Sequence, residues 1–294
     1  MAAAVRGAVR GAVIDTHVHL FDPQRVPYAS GAPYRPAAQP MEAYAKFALE
    51  AGLAHAVIVH PEPYQDDHRY LEYCFANERQ AGLPAGFFKG TCLFDPIAAE
   101  TPGRMEALVK KHPGRIVALR IHEVRKPGTP PLTSGPIKDR DLRSPAMIQT
   151  WRKAGALGLG IQMHFLPYYA PGIADLAGMF PEVPVILDHL ARAGQGTPEE
   201  FAAVLRLARF PKVYMKYSGV EYSSKLPFPH DDVKPLVRRA FDAFGAERML
   251  WGTLGYRRDE YEKQTQLFDS MFAFATEAQR ARIRGATAAG LFGW

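Results

Sequence analysis

The sequence predicts an α/β protein, a (β/α)8 TIM barrel with extra C-terminal helices. Two observations support this fold class. Short apolar runs alternate eight times with segments of helical periodicity, and no linker or further internal repeat interrupts the series. Eight βα units in ~250 residues fit a barrel better than a doubly wound sheet. We therefore expect residues 12–294 to form one domain behind a flexible N-terminal tail of residues 1–11.

The predicted strands are runs of Val, Ile, Leu, Phe or Tyr, as in strands that are buried on both faces. They are 12–17, 54–60, 86–92, 116–122, 159–165, 183–189, 212–217 and 248–252. Helical segments alternate with them, and Pro, Asp or Thr at their starts and Gly at their ends are typical boundaries. The predicted helices are 41–52, 67–82, 103–112, 144–156, 171–180, 197–209 and 231–245, followed by 261–275 and 276–292.

Composition limits the possible functions. The chain has 294 residues, of which 47% are hydrophobic, so it can bury a large core. It contains no run of 18 apolar residues, which argues against a membrane span. Cys74 and Cys92 lack the spacing of a metal or redox motif and are predicted to be buried thiols in a reducing cytoplasm.

The net charge of +6 comes from cations spread along the chain. No long basic run and no interleaving of aromatic with basic residues is present, so we expect no nucleic-acid partner. A modest positive field suits a small-molecule carboxylate substrate. The sequence leaves open whether the chain forms a homodimer.

The first predicted strand ends in two histidines, His17 and His19. Side chains two residues apart in a strand point to the same face, so both imidazoles can converge on one point. They could serve as metal ligands or as a base with its partner, although such a pair alone is equally compatible with solvent-facing histidines.

Polar and charged residues recur at the carboxyl ends of the other predicted strands. Charged side chains are costly inside a barrel unless they are paired or used, and βα loops at this end build active sites. The set is His17, His19, His60, Glu62, Lys89 to Asp95, Arg120, His122, Glu123, His164, Asp188, His189, Lys216, Ser218, Thr253 and Leu254. We therefore predict an active site at the carboxyl end of the barrel.

Four ordered segments resemble the amidohydrolase superfamily, and most closely its sugar-lactone and pyrone-dicarboxylate lactonases. They are Ile14-Asp-Thr-His-Val-His-Leu-Phe-Asp22, His164 in Ile161-Gln-Met-His-Phe, Leu187-Asp-His-Leu190 and Met249-Leu-Trp-Gly-Thr253. The resemblance covers residues 12–294. It implies that four histidines line the catalytic site: His17, His19, His164 and His189. It also implies a strand-eight Asp that activates or orients water.

The chain departs from this pattern at Leu254, which stands where the strand-eight Asp is expected. Leucine can neither accept a proton nor bind a metal. Three explanations remain open. The chain could be a substituted variant of an active enzyme, another base such as Glu62, Asp188 or Asp259 could serve, or the reaction could need no hydrolytic water.

The residues allow either no cofactor or one divalent metal, with zinc preferred. His17, His19 and His164 could bind Zn²⁺ and leave a position for water. Arg120 and His122 stand where the resemblance would place a metal-bridging lysine, which argues against two metals. Lactone-hydrolysing branches of the superfamily can work without a metal, because an ester carbonyl is already electrophilic.

Several side chains near the strand ends are candidates for substrate binding. Arg120, Lys89 and Lys216 could hold a carboxylate, and Tyr168 and Tyr217 could add polar-tipped aromatic surface. The leading hypothesis is a hydrolase that opens a lactone bearing a carboxylate. One rival is a metal-dependent decarboxylase on the same scaffold. The other, suggested by Leu254, is a barrel that binds a small acid without turning it over.

We predict that Leu254→Asp raises lactone hydrolysis by ~100-fold or more, the scale of a positioned general base. The new carboxylate would orient the attacking water and would also tighten a bound metal. Hydrolysis rates and metal content of the two proteins provide the measurement. Unchanged rates and unchanged metal content would show that another base carries the chemistry.

Overall fold

Eight parallel strands form one sheet in which neighbours follow chain order, as the predicted TIM barrel requires. The computed structural model describes residues 11–128, 140–255 and 257–294. The strands are β1 Val13–Val18, β2 Leu53–Ile58, β3 Phe88–Leu93, β4 Ile116–Glu123, β5 Gly160–Phe165, β6 Val185–Leu187, β7 Val213–Tyr217 and β8 Met249–Trp251. Each pairs in parallel with the next, from β1 with β2 to β7 with β8. The predicted fold class is confirmed.

Helices follow the strands and pack on the outside of the sheet. They are α1 Met41–Ala51, α2 Arg69–Asn77, α3 Thr101–Lys111, α4 Pro145–Ala156, α5 Ala170–Met179, α6 Pro198–Arg206, α7 Lys234–Phe244, α8 Arg258–Met271, α9 Glu277–Ala281 and α10 Thr287–Phe292. A π-helical segment, Arg282–Ala286, joins α9 to α10 where one continuous helix over 276–292 was predicted. No helix of the described residues is both long and apolar enough to cross a membrane. Apart from Gly11, the predicted tail of residues 1–11 lies outside the described residues.

The amino-terminal end of the barrel is apolar and closed by the end of the chain. Inside it, a cluster that includes Ile14, Val57 and Leu250 packs with Phe292 of α10. His55, near the start of β2, stacks on Trp294 with ring centroids 4.8 Å apart. Polar chemistry is therefore left to the carboxyl end. Cys74 and Cys92 are buried free thiols, as predicted.

Asp15 fastens the first strand to the segment that follows the last one. Its buried carboxylate accepts hydrogen bonds from the Thr253 hydroxyl at 2.6 Å and from the Thr253 backbone N–H at 3.1 Å. In the same region the Thr16 hydroxyl donates to the Trp251 carbonyl oxygen, and the Leu254 N–H donates to the His17 carbonyl oxygen. These contacts bring β1 and β8 together. They also hold Leu254 next to the first histidine.

We predict that Asp15 makes stability depend on pH between about 4 and 6. Burial raises the pKa of Asp15 to about 6, although Thr253 opposes the shift. The folded chain then binds more protons than the unfolded chain in this window, so the contribution of Asp15 to the free energy of unfolding falls as pH rises. The fall should reach about 3 kcal/mol by pH 7.

Asparagine does not titrate, so Asp15→Asn isolates this effect. Urea unfolding at several pH values should show that wild type loses stability relative to Asp15→Asn as pH rises through the window. A difference in unfolding free energy that is independent of pH would contradict the assignment.

Candidate active site

The carboxylate of Asp188, just after β6, lies at the centre of a buried polar cluster. Lys216 Nζ is 3.2 Å from its Oδ1, and Arg120 Nε is 3.5 Å from its Oδ2. The Gln162 amide donates to Oδ2 at 3.0 Å. All four side chains are buried. Burial alone would raise the pKa of Asp188, but the charge of Lys216 holds it well below its usual range.

Four histidines from three parts of the chain meet beside this carboxylate. His17 and His19 both come from the end of the first strand, and their Nε2 atoms are 3.3 Å apart. The ring centroid of His189 lies 4.7 Å from that of His17 and 4.9 Å from that of His164. Burial lowers the pKa of all four, that of His19 to about 3, so the rings are neutral at pH 7.

The hydrogen bonds determine where the protons lie in the first pair. The His19 Nδ1–H must donate to the Val59 carbonyl oxygen, 2.7 Å away, because a carbonyl can only accept. His19 Nε2 then accepts from His17 Nε2–H. His17 Nδ1 is therefore a lone pair, 3.7 Å from Asp188 Oδ1, and neither atom has a hydrogen-bond partner within the described chain. His17 Nδ1 therefore leaves room for a proton donor or a cation, whereas the Lys216 ammonium already lies 3.2 Å from Asp188 Oδ1.

A left-handed turn after β6 brings His189 and Arg192 into the interior of the barrel. Residues His189 to Arg192 all have φ between 50° and 54°. This conformation costs about 1–2 kcal/mol per residue for L-amino acids and is maintained here by complete burial of the turn. Gly194, which follows, has no room for a side chain, because a Cβ atom would lie 1.9 Å from the Ser223 carbonyl oxygen. Because of this left-handed turn, the strand that was predicted to extend to residue 189 ends at Leu187.

Arg192 is the functional candidate that the sequence reading missed. Its side chain is buried, with the guanidinium 4.7 Å from the centroid of the Tyr222 ring. Its Nε and Nη1 have no hydrogen-bond partner among the described residues, and neither has Nε of Arg120. Burial, and then the charge of Arg120, lower the pKa of Arg192. Buried guanidinium donors without partners are suited to an anionic ligand. The only sequence feature that could have indicated Arg192 is its position four residues after Asp188.

A cavity of about 330 Å³ opens beside Arg120. Glu62 and His122 line it together with Arg140, and the Glu62 carboxylate lies 2.5 Å from His122 Nδ1. His122 is the register partner of His164 on the neighbouring strand, with ring centroids 5.1 Å apart. The cavity therefore adjoins the histidine cluster. The sequence placed Glu62 and His122 at strand ends but did not pair them.

Three of the predicted substrate-binding residues lie elsewhere. Lys89, near the start of β3, donates to the carbonyl oxygens of Phe292 and Gly293 at the amino-terminal end of the barrel, so its predicted position is wrong. Tyr217 points outward and packs on Phe268 and Phe272, because the alternation along β7 turns its neighbour Lys216 inward.

Tyr168, the third, is 44% exposed. Its ring packs edge-on against Tyr169, and the Lys126 ammonium lies 5.7 Å from its centroid. No contact joins Tyr168 to the histidine cluster among the described residues. Its predicted role in substrate binding has no geometric support.

Leu254 has a left-handed backbone, with φ of 64°, and a partly buried side chain. Aspartate and asparagine adopt this conformation much more readily than leucine. The backbone at position 254 thus retains a shape suited to the expected carboxylate. Asp259, one possible replacement, lies on α8 with its side chain 56% exposed and paired with Arg257, which removes it from the site.

The donors for a metal ion differ from the predicted set of His17, His19 and His164. Among the described residues, His17, Asp188 and His189 place one ligand atom each within 4.8 Å of the others. Two imidazoles and a carboxylate fit one divalent ion in number and type. His19 Nε2 instead accepts from His17. An ion here would have to share the Asp188 carboxylate with the Lys216 ammonium.

Comparison with known proteins identifies the family. Residues 14–294 match the family model described as Amidohydrolase. This chain belongs to the amidohydrolase family. It is 25% identical over 252 residues to 4-sulfomuconolactone hydrolase of Hydrogenophaga intermedia, a match that covers 81% of this chain and 73% of the relative. The predicted resemblance to the lactonase-like branch is confirmed.

Solved structures share the fold. A probable 2-pyrone-4,6-dicarboxylic acid hydrolase from Acinetobacter baumannii with citric acid bound has a TM-score of 0.76 and 18% identity, over 96% of this chain and 99% of that one. An amidohydrolase from Burkholderia multivorans with bound zinc has a TM-score of 0.71 and 16% identity, over 96% and 99%. The shared fold extends over nearly the whole length of this chain.

We predict that Lys216→Met increases zinc affinity by at least ~10-fold, because it removes a positive charge 3.2 Å from the Asp188 carboxylate. Competition with a chromophoric zinc chelator measures the affinity. Lys89→Met, which removes a lysine at the opposite end of the barrel, is the matched control and should leave the affinity unchanged. Equal affinities of wild type and Lys216→Met would contradict the assignment of this carboxylate to a metal site.

Proposed function

We propose that this amidohydrolase opens a lactone that carries a carboxylate or similar anionic group. The observation that supports the proposal most strongly is the buried Arg192, whose Nε and Nη1 lack hydrogen-bond partners among the described residues, with Arg120 as a second buried cation beside the four neutral histidines. An anionic group on the substrate would satisfy these donors. Its ring carbonyl would then lie among the histidines.

The histidines supply hydrogen bonds rather than charge. Neither ring nitrogen of His164 has a partner in the described structure. A neutral imidazole carries one N–H, so His164 can donate to the carbonyl oxygen as negative charge develops there. His189 Nδ1 lies 2.9 Å from the Ser218 hydroxyl, which orients its ring. His17 and His19, which are joined by a hydrogen bond, line the opposite side of the proposed carbonyl position.

The cations stabilise the reacting oxygen through space. Lys216 lies beside Asp188, and burial lowers the pKa of its ammonium while Asp188 raises it. Lys216 and Arg120 therefore provide positive potential in a buried site, where electrostatic effects are strongest. A lactone carbonyl is already electrophilic, so we propose that these groups suffice. Zinc, if bound by His17, Asp188 and His189, would polarise the carbonyl in addition.

A second candidate function is a metal-dependent decarboxylase, favoured by the His17, Asp188 and His189 group. Product analysis with metal-free and metal-loaded protein separates the two. Release of carbon dioxide that requires the metal supports the decarboxylase, and lactone opening by the metal-free protein rejects it.

The third hypothesis is a protein that binds a small acid without turning it over. It is suggested by Leu254, which stands in place of the expected Asp. A ligand that binds only the folded state raises the melting temperature. Thermal stabilisation by a carboxylated lactone without product would support this reading, and measurable hydrolysis would exclude it.

We predict that the enzyme hydrolyses γ-butyrolactone bearing a ring carboxylate much faster than γ-butyrolactone itself. Arg192→Met should raise KM for the carboxylated lactone ~10- to 100-fold, the scale of a lost charged hydrogen bond, and should leave the rate with the uncharged lactone nearly unchanged. His17→Ala should reduce hydrolysis of both. Release of acid, followed with a pH indicator in weak buffer, measures turnover.

Arg209→Met is the matched control. Arg209 also lies over an aromatic ring, 4.7 Å from the Phe210 centroid, but it is exposed. It should behave as wild type. Failure of a panel of carboxylated lactones to react above buffer, with wild type and His17→Ala alike, would exclude the proposed function.

A further inference from the structure

We propose that His122, oriented by Glu62, is the general base that activates water in this chain. The proposal rests on the proposed lactone hydrolysis and names the residue that replaces the missing strand-eight carboxylate. Leu254 has no group that can accept a proton, so hydrolysis requires another base within reach of the substrate carbonyl. Glu62 and His122 form the pair that the geometry favours.

The barrel places His122 at the reacting centre. On β4, Arg120 and His122 are two residues apart, so both side chains point the same way, and both line the cavity of about 330 Å³. On the next strand His164 pairs in register with His122, and the two rings meet edge-on. His122 thus lies between a predicted anion-binding arginine and a predicted carbonyl donor.

Glu62 fixes the tautomer of His122. It lies in a 3-10 turn, Glu62–Tyr64, that follows β2, and its Oε1 is 2.5 Å from His122 Nδ1. Both side chains are at most 9% exposed. A carboxylate bound at Nδ1 holds the proton there and leaves the Nε2 lone pair free to accept another. Glu62 Oε2 has no partner among the described residues, so no other contact competes for this carboxylate.

Three other carboxylates near the site are already committed. Asp188 is shared by Lys216 and Arg120. Asp15 accepts from Thr253 and from a backbone N–H at the joint between β1 and β8. Glu123 is paired with Arg140. Among the described residues, only the Glu62 carboxylate contacts a histidine that lines the cavity.

The proposed hydrolysis proceeds in two stages. The water oxygen bonds to the carbonyl carbon, one water proton moves to His122 Nε2, and the carbonyl electron pair moves onto its oxygen. When the tetrahedral intermediate collapses, the ring C–O bond breaks and the proton on Nε2 passes to the leaving oxygen. The product is a hydroxy acid, which ionises in solution. His122 is the catalytic residue, and Glu62 is a positioning residue that acts through it.

The first experiment compares His122→Ala with His112→Ala on carboxylated γ-butyrolactone. His112 also pairs with a glutamate, Glu72 at 3.1 Å, but lies outside the barrel at the end of α3. His122→Ala should lower kcat ~100- to 10,000-fold with little change in KM, and added imidazole should recover at least ~10-fold of the rate. His112→Ala should match wild type.

The second experiment tests the role of Glu62. Glu62→Gln should lower kcat ~10-fold in the wild-type background and should have no further effect in the His122→Ala background, because its role passes through His122. A structural role would instead lower activity in both backgrounds. If His122→Ala does not fold, Glu62→Gln alone still tests the pair through its kcat and KM.

The pair also changes the expectation for position 254. With His122 as base, Leu254→Asp should add little to wild type and should restore hydrolysis in His122→Ala. Wild-type turnover with His122→Ala unaffected would overturn the proposal and leave lactone hydrolysis standing. Absence of wild-type turnover would instead remove the proposed function itself.

Discussion

The site depends on one buried carboxylate, Asp188. A carboxylate taken out of water needs compensation, and here two cations and an amide provide it. The same contacts draw Arg120 from β4 and Lys216 from β7 toward the barrel axis. Removing Asp188 would leave two buried positive charges facing each other. The positions of Arg120, Lys216 and Gln162 are therefore set relative to this group.

Around Asp188, the positive charge and the proposed proton transfer belong to different side chains. The cations lie next to Asp188 or over Tyr222, while burial keeps the histidines neutral. Neutral imidazoles can donate and accept within the same reaction, which charged ones cannot. The left-handed turn from His189 to Arg192 is strained, and such strain is often found at functional sites. The opposite end of the barrel, filled by apolar side chains and α10, carries no comparable cluster among the described residues.

The sequence predicted most of the fold because the relevant information is local. Apolar runs, helix boundaries and the βα rhythm each span a few residues, and the eight strands were found near their observed bounds. The predicted strand 183–189 extends two residues beyond β6 at each end, and its carboxyl end was misplaced because nothing in Asp188-His189-Leu190 indicates a left-handed turn. Lys89 and Tyr217 were misplaced for a related reason. Whether a residue at a strand end faces the axis depends on the exact pleat and on where the strand begins.

The sequence by itself determined the barrel, the family resemblance, the four histidines and the loss of the strand-eight carboxylate at Leu254, since each is written in a short segment. Only the tertiary structure decided which groups meet. Glu62 and His122 are 60 residues apart in the sequence, and Asp15 and Thr253 are 238 residues apart. Arg192 became a candidate only because its Nε and Nη1 are buried without hydrogen-bond partners in the described part of the chain. Such pairings depend on how the barrel closes, and no local pattern encodes that closure.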